Sequence, residues 1–143
     1  MNLQANGLGS LGNAQLEWLE DDVKHLTSST PIVVFAHVPL WMVYQDWGWG
    51  TSDGAQALTY LKKFGSVTVL NGHIHQVITK TEGNITFHTT RSTAYPQAAA
   101  GTPGAGPGPL KVPADQLRSV LGIRDIARKQ GHGPLTLVDQ TLA

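Results

Sequence analysis

Hydrophobic residues recur at helical spacing in two segments of the chain. In the first segment these residues are Leu16, Leu19, Val23 and Leu26. Steps of three and four residues place them on one face, which predicts a helix over residues 14–26 with Asn13 as its N-cap. A second helix is predicted over residues 53–64, with either Ser52 or Asp53 as its cap.

Two continuous apolar runs, rich in β-branched residues, flank the second predicted helix. The first is IVVFAH, residues 32–37, and the second is VTVL, residues 67–70. Short runs without alternation are typical of strands that are buried on both faces of a sheet. The order strand, helix, strand is consistent with two parallel neighbours that are linked by the helix over residues 53–64.

The hydrophobic pattern changes to alternation after the second run. QVITKTEGNITFHTT, residues 76–90, alternates around EGN and predicts an antiparallel hairpin. Seven of the nine residues over 101–109 are Gly or Pro, which indicates a loop. Beyond it, residues 115–121 fit a short helix, and IRDIA and LTLVD fit two strands of a closing hairpin. Together these elements predict an α/β layered domain with a mixed sheet.

Composition and charge narrow the class of protein. The chain has 143 residues, which suits one modest domain. Ten basic and ten acidic residues balance, so no charge footprint for nucleic acid or an acidic membrane is expected. The chain has no cysteine, which excludes disulfides and thiolate metal sites. No apolar run approaches the ~20 residues of a membrane span and no signal peptide is recognisable, so we expect a soluble protein.

Three histidines follow the two predicted buried strands. His37 ends the first strand, and His73 and His75 follow the second strand in the stretch NGHIHQ. In an extended segment, residues two apart point to the same side, so His73 and His75 are expected to face one pocket with Ile74 turned into the core. Parallel strands would bring His37 to the same edge. Three imidazoles predict a metal or anion site, and hydrogen-bonded structural histidines are the ordinary alternative.

Three further side chains are candidates for substrate binding. Trp41 begins the aromatic loop WMVYQDWGW, which could form a wall or lid at the site or could only pack. Arg91 could bind a phosphate with its guanidinium fork, and a solvated loop arginine is the alternative. His88 could face the substrate or be structural. His25 and His132 lie in polar segments and are assigned no role.

The motifs VVFAHVPLW and NGHIHQ, with the preceding helix QLEWLEDD, resemble the second half of the calcineurin-like metallophosphoesterase domain. The resemblance covers residues 8–96. It implies a four-layer α/β/β/α sandwich and a centre of two divalent metal ions, such as Mn, Fe or Zn. By position, His37 and His73 resemble ligands of one ion, and His75 resembles a ligand of the other. The chemistry that the resemblance implies is hydrolysis of a phosphoester substrate by metal-activated water.

The chain also departs from the pattern of this family. The motifs D-x-H, G-D with its bridging aspartate, and G-N-H-D/E do not occur in it. We therefore expect residues 1–100 to be the C-terminal part of such a domain, 101–113 a Gly/Pro-rich loop, and 114–143 a helix and strands that pack on the same domain. The expected partner is the missing N-terminal half or a second copy of the chain.

The missing ligands leave the activity of the chain open. A phosphodiesterase or phosphatase with weak or no activity on its own is one expectation. The alternatives are a non-catalytic metal-binding or interaction module that keeps three histidine ligands, and an inert fragment whose other half lies elsewhere.

Overall fold

The computed structural model describes residues 1–128 and 135–143 of the chain. In chain order the strands are β1 (Asn2–Leu3), β2 (Gly9–Ser10), β3 (Ile32–Ala36), β4 (Val67–Asn71), β5 (Thr79–Glu82), β6 (Ile85–Thr89), β7 (Gly122–Ala127) and β8 (Thr136–Thr141). The helices are α1 (Asn13–Val23), α2 (Gly54–Leu61) and α3 (Leu117–Val120), with a 3₁₀ turn at Gln45–Trp47. None of the helices in the described ranges is long and apolar enough to cross a membrane.

Four strands form one mixed sheet in the order β3–β4–β6–β5. β4 pairs in parallel with β3 on one side and with β6 on the other, and β5 pairs antiparallel with β6. Because α2 lies between β3 and β4 in the chain, the expected parallel pair with a helical connection is confirmed. The chain is therefore a mixed α/β fold, and the four-layer sandwich stays a prediction.

α1 and α2 pack together on one face of this sheet. Buried side chains from the helices, the sheet and the loops beside them form the core, namely Val23, Leu40, Leu58, Leu61, Phe64, Val67, Val69, Ile85 and Phe87. Removal of this apolar surface from water stabilises the fold by roughly 25 cal/mol per Å². Val67 and Val69 of β4 lie opposite Ile85 and Phe87 of β6, so the alternation of buried positions defines the register of the two strands.

β3 is not buried on both faces, and this prediction from its continuous apolar run is wrong. β3 is an edge strand, and exposure alternates along it, with Val33 40% exposed and Phe35 76% exposed. Ile32 and Val34 pack against the core on the helical side. The helices cover one face of β3, and the other face lies largely open, so only every second residue is removed from water.

The carboxylate of Asp53 joins the segment before α1 to the start of α2. Asp53 accepts hydrogen bonds from the backbone N–H groups of Leu11 (2.9 Å) and Gly12 (2.8 Å). Gly12, rather than the predicted Asn13, is the N-cap of α1, and its φ of 76° favours glycine. Asp53 holds the N-cap position of α2, but its side chain makes no capping bond to that helix. Burial raises the pKa of Asp53, yet the hydrogen bonds outweigh burial and hold the pKa below its usual value.

Both helices also end about one turn before their predicted ends. Leu26, which was expected on the buried face of the first helix, lies beyond α1 and is 38% exposed. The prediction that Gly65 stops the second helix is wrong, because Lys62 is the C-cap of α2; the backbone N–H of Gly65 donates to the carbonyl of Ser28. The apolar period predicts the helices and their buried faces better than it predicts where they stop.

The hairpin predicted around EGN is confirmed. β5 and β6 are antiparallel neighbours, and Glu82 lies opposite Ile85 across a connection of Gly83 and Asn84. Gly83 has a φ of 59°, which is the left-handed conformation that tight hairpins require. This hairpin returns β6 to the parallel side of β4, where it completes the sheet.

The C-terminal elements also follow the prediction. α3 lies inside the expected helix over residues 115–121, and β7 pairs antiparallel with β8. Residues 101–109 contain no helix or strand. Ile126 of β7 lies across a groove from Phe35 and Leu70, so the β7–β8 hairpin stands over part of the open face of the main sheet.

Candidate functional site

The three histidines lie at one edge of the sheet. His37 follows β3, and His73 and His75 follow β4. The last residues of these parallel strands, Ala36 and Asn71, are paired neighbours, so both strands end at the same level. The rings of His37 and His73 are 5.3 Å apart between centroids at an angle of 77°. The parallel topology therefore places side chains that are 36 residues apart in the sequence beside each other.

The stretch NGHIHQ is not extended, so the conformation predicted for it is wrong. His73 and His75 both have positive φ, at 65° and 53°. The backbone N–H of Ile74 donates to the carbonyl of Gly72 at 2.7 Å, which closes a tight turn around His73. Ile74 is fully buried, as predicted. Non-glycine residues with positive φ are uncommon and concentrate at functional sites, so this turn is a conformation that the surrounding contacts must hold.

Three contacts hold this turn in place. The side-chain amide of Asn71 donates to the carbonyl of Ala36 at 2.7 Å, which ties β4 to the end of β3. The backbone N–H of Gly72 donates to the carbonyl of His37 at 3.0 Å. The amide of the buried Gln97 donates to the carbonyl of His73 at 2.8 Å. The conformation of the histidine turn is thus determined by β3 on one side and by the loop after β6 on the other.

His75 is oriented by a second residue of that loop. Its Nδ1 lies 2.7 Å from the carbonyl oxygen of Tyr95, and the two rings are 4.6 Å apart between centroids. A carbonyl can only accept, so Nδ1 carries the proton and Nε2 presents its lone pair. This is the arrangement in which a backbone carbonyl orients a histidine for metal binding through its other ring nitrogen.

The environment favours neutral imidazoles. Burial, together with the neighbouring His37 and His75, holds the pKa of His73 below its usual value. Burial also lowers the pKa of His75; the Tyr95 carbonyl opposes this effect, and His37 adds to it. Neutral imidazole is the form that binds metal ions, so at neutral pH these two side chains need not lose a proton to become ligands.

The three histidines stand between two clefts. One cleft, of about 420 Å³, is lined by the three histidines with Arg91, Arg124 and neighbouring loop residues, and we name it the arginine cleft. The other, of about 330 Å³, is lined by the same histidines with Trp47, Trp49 and Tyr95, and we name it the tryptophan cleft. A small molecule at the histidines would therefore meet cationic groups on one side and aromatic rings on the other.

The three residues predicted to bind substrate lie in three different places: one in a cleft, one in an adjoining groove and one on the core. Arg91 lines the arginine cleft beside the histidines. His88 lines an adjoining groove of about 370 Å³ that it shares with His37 and Arg124. Trp41 does not line these clefts; its ring lies 4.9 Å from that of Phe87 and packs on the core, so the packing alternative describes it.

Trp47 and Trp49 take the place that was expected for Trp41. They belong to the same aromatic loop and line the tryptophan cleft, and their rings meet edge to face at 5.0 Å. His25 is exposed after α1 and lies in neither cleft. His132 lies outside the described residues.

Arg124 is a site residue that the sequence does not reveal. Its side chain is only 7% exposed, and it donates through Nε and Nη2 to Asp139 of β8 at 2.8 and 2.6 Å. The hydrogen bond and charge of Arg124 hold the pKa of Asp139 below its usual value despite burial. The third guanidinium nitrogen, Nη1, is buried and has no hydrogen-bond partner in the described part of the chain. Within IRDIA, nothing marks this arginine as different from a surface residue.

The histidines provide donor atoms that suit a metal ion, but their side chains are not arranged around a common point. Across residues 1–128 and 135–143, no group of three His, Cys, Asp or Glu side chains is already arranged to hold a metal ion. His37 is exposed, whereas His73 and His75 are half-buried. The neutral imidazoles of His73 and His75, the latter oriented by a carbonyl, are donors of the kind that first-row divalent ions accept.

Comparison with known proteins does not assign the chain to a family. No protein-family model matches it, and no curated protein shows significant similarity to it.

Proposed function

We propose that this chain is the histidine-bearing part of a metal-dependent phosphoester hydrolase, a phosphodiesterase or phosphatase of the calcineurin-like type. The observation that carries the proposal is the meeting of His37, His73 and His75 at the edge of a parallel strand pair. The carboxyl edge of parallel strands is the usual ligand site of α/β sheets, and imidazoles suit divalent ions such as Mn, Fe or Zn.

The side chains that would hold the metal are His37, His73 and His75. A divalent ion supplies water activation and charge neutralisation when it is bound there. The Tyr95 carbonyl keeps Nε2 of His75 available for the ion, and Gln97 fixes the backbone of His73. These contacts support the proposal because ligands held by neighbouring groups lose less conformational freedom on binding.

The two clefts supply complementary contacts for a phosphoester. Arg91 in the arginine cleft binds phosphate oxygens with its guanidinium group. Trp47 and Tyr95 in the tryptophan cleft offer ring faces to the organic group of the substrate. His88 lies in the adjoining groove, where it would meet only a substituent that extends beyond the histidines.

The proposal includes a four-layer α/β/β/α sandwich in which β3–β6 form one of two sheets. The open face of β3, with Phe35 76% exposed, supports this arrangement because a second sheet would cover it. The β7–β8 hairpin, which faces the same side through Ile126, would belong to that second sheet.

Metal analysis of the purified protein tests the site. After incubation with Mn²⁺ and dialysis, we expect the wild type to retain metal and the triple variant His37→Ala, His73→Ala, His75→Ala to retain none. His25→Ala is the matched control, since His25 is exposed and away from the clefts, and it should retain as much metal as the wild type. Equal metal content in the triple variant and the wild type would reject the site.

Hydrolysis of bis(p-nitrophenyl) phosphate with added Mn²⁺ tests the reaction. We expect slow turnover that the triple variant abolishes and that Arg91→Ala weakens through KM. The same set of proteins separates binding from chemistry, because metal retention without any turnover would leave the site intact and remove the hydrolase assignment.

A non-catalytic metal-binding module is the second candidate, and one observation favours it. The charged side chains that line the arginine and tryptophan clefts are arginines, and no Asp or Glu of the described chain lines either cleft. Two-metal phosphoester hydrolysis relies on a carboxylate to hold both ions and to balance their charge. Metal retention by the wild type with no turnover on any phosphoester would establish this module instead.

A further inference from the structure

We propose that Arg124 of β7 forms an anion-binding site in the arginine cleft together with Arg91, and that this site takes a phosphoryl group beside the histidines. The identity of the ligand as a phosphate rests on the proposed function, whereas the anion site itself rests on the contacts of Arg124.

The geometry of Arg124 leaves one donor without a partner. Asp139 accepts from Nε and Nη2, which holds the guanidinium plane on the β7–β8 hairpin. Nη1 is buried without an acceptor, in a side chain that is 7% exposed. A buried donor that lacks an acceptor costs free energy, and a charged donor costs more than a neutral one. Arg124 lines the arginine cleft, so an oxyanion bound there would give Nη1 an acceptor once the guanidinium shifts to uncover this nitrogen.

The surroundings of Arg124 favour an anion over a neutral ligand. Arg91 and Arg124 are the charged residues among those that line the arginine cleft. Asp139 neutralises the charge of Arg124. The hydroxyl of Thr90 donates a hydrogen bond of 3.4 Å to the Asp139 carboxylate. Two arginines with one carboxylate partner leave one positive charge uncompensated among the charged residues of this cleft.

The Arg124–Asp139 pair differs from an ordinary surface ion pair, because Asp139 holds the guanidinium group of Arg124 in a fixed position. Exposed pairs lose most of their strength to water and salt, but this pair is bidentate, and the side chain of Arg124 is 7% exposed and that of Asp139 28% exposed. The two strands of the hairpin thus hold Arg124 at a defined position over the edge where the histidines end.

Titration with inorganic phosphate tests the anion site without any metal. The protein is treated with a chelator, and phosphate binding is followed by ¹H–¹⁵N NMR. We expect the shifts to saturate in the wild type, with the largest shifts around Arg91 and Arg124. Arg124→Gln should weaken phosphate binding by about tenfold or more, as expected for the loss of a charge-assisted hydrogen bond. Arg118→Gln is the matched control, because it removes the same charge from an exposed position on α3.

A second pair of variants guards against misfolding. Arg124→Gln leaves Asp139 without its partner, so the double variant Arg124→Gln, Asp139→Asn removes both charges and keeps the hairpin neutral. Weakened phosphate binding in the folded double variant and in Arg91→Gln would support the site. Phosphate affinity equal to that of the wild type in the folded double variant would overturn it.

The outcome is independent of the metal experiment. Loss of phosphate binding in the Arg124 variants, with no metal retained by the wild type, would keep the anion site and remove the hydrolase. Metal-dependent turnover by the wild type, with unchanged phosphate affinity in the Arg124 variants, would support the hydrolase and reject the anion site.

Discussion

His88 shows how the position of a single residue links protonation to folding. Burial holds the pKa of His88 below its usual value; Arg124 adds to this effect, and Asp139 opposes it. The unfolded chain, with a histidine pKa near 6.5, therefore binds a proton before the folded protein does as the pH falls. The free energy of unfolding must then decrease as the pH drops below about 6.5.

We predict that His88→Gln reduces this pH dependence. The free energy of unfolding, measured by urea denaturation at several values between about pH 5 and pH 7.5, should fall less steeply in the variant than in the wild type. His73 and His75 retain part of the slope because their pKa values are lowered as well. The lowered pKa values of Asp53 and Asp139 act only near and below their usual value of 3.8, outside this range. An unchanged slope in His88→Gln would contradict the prediction.

At the residue scale, the sequence predicts the histidines but not the groups that support them. The sequence reveals the three histidines, His37, His73 and His75, because polar imidazoles are uncommon beside buried apolar strands. Gln97 and Arg124 could not be found, since their roles depend on contacts with residues 24 and 15 positions away. The left-handed turn at His73 was also beyond prediction, because only tertiary contacts stabilise that conformation in a residue with a side chain.

At the scale of elements, a glycine sets how closely α2 approaches the loop after β3. Gly54 is the first residue of α2 and is buried. A Cβ atom at this position would overlap the backbone carbonyl oxygen of Leu40. Leu40 lies in the loop after β3, three residues beyond His37.

We predict that Gly54→Ala destabilises the protein although alanine is the better helix former. The overlap involves backbone on both sides and cannot be relieved by a rotamer change, so the cost should be about 1–3 kcal/mol in free energy of unfolding. Gly106→Ala is the control, because a Cβ there meets nothing within 4 Å and φ is ordinary; it should change stability by less than about 0.5 kcal/mol. Equal unfolding midpoints for the two variants would refute the argument.

The hydrophobic period predicts which segments are helices and which are strands. It does not predict what packs against each of them. The run in β3 predicted a strand correctly, but burial on both faces depends on what covers the sheet, and helices cover only one side. The start of α1 differs from the prediction by one residue, and the backbone N–H groups of Leu11 and Gly12 just before it donate to Asp53, at the beginning of another helix. Local patterns carry no information on such distant partners.

At the scale of the whole molecule, the open face of the main sheet is the largest departure from an ordinary α/β layer. Val33 and Phe35 stand exposed on β3, and Ile123, Ile126 and Val138 are exposed on the hairpin beside it. Apolar surface of this kind favours association, because each large side chain that leaves water contributes about 1.5–3 kcal/mol. A second copy of the chain would present the same apolar face, so it is the partner we consider for the protein in isolation.

We predict that the purified chain self-associates through this face and that Phe35→Gln weakens the association. The wild type should bind a fluorescent apolar dye and show a dimer mass at high concentration by light scattering, and Phe35→Gln should shift both toward a dye-free monomer. Stability of the monomer should change little, since Phe35 is 76% exposed and has little burial to lose. Leu110→Gln is the matched control, because Leu110 is 46% exposed in the loop before α3, and it should leave the mass unchanged. A wild-type chain that is monodisperse, monomeric and free of dye would show that the exposed face is tolerated in water without a partner.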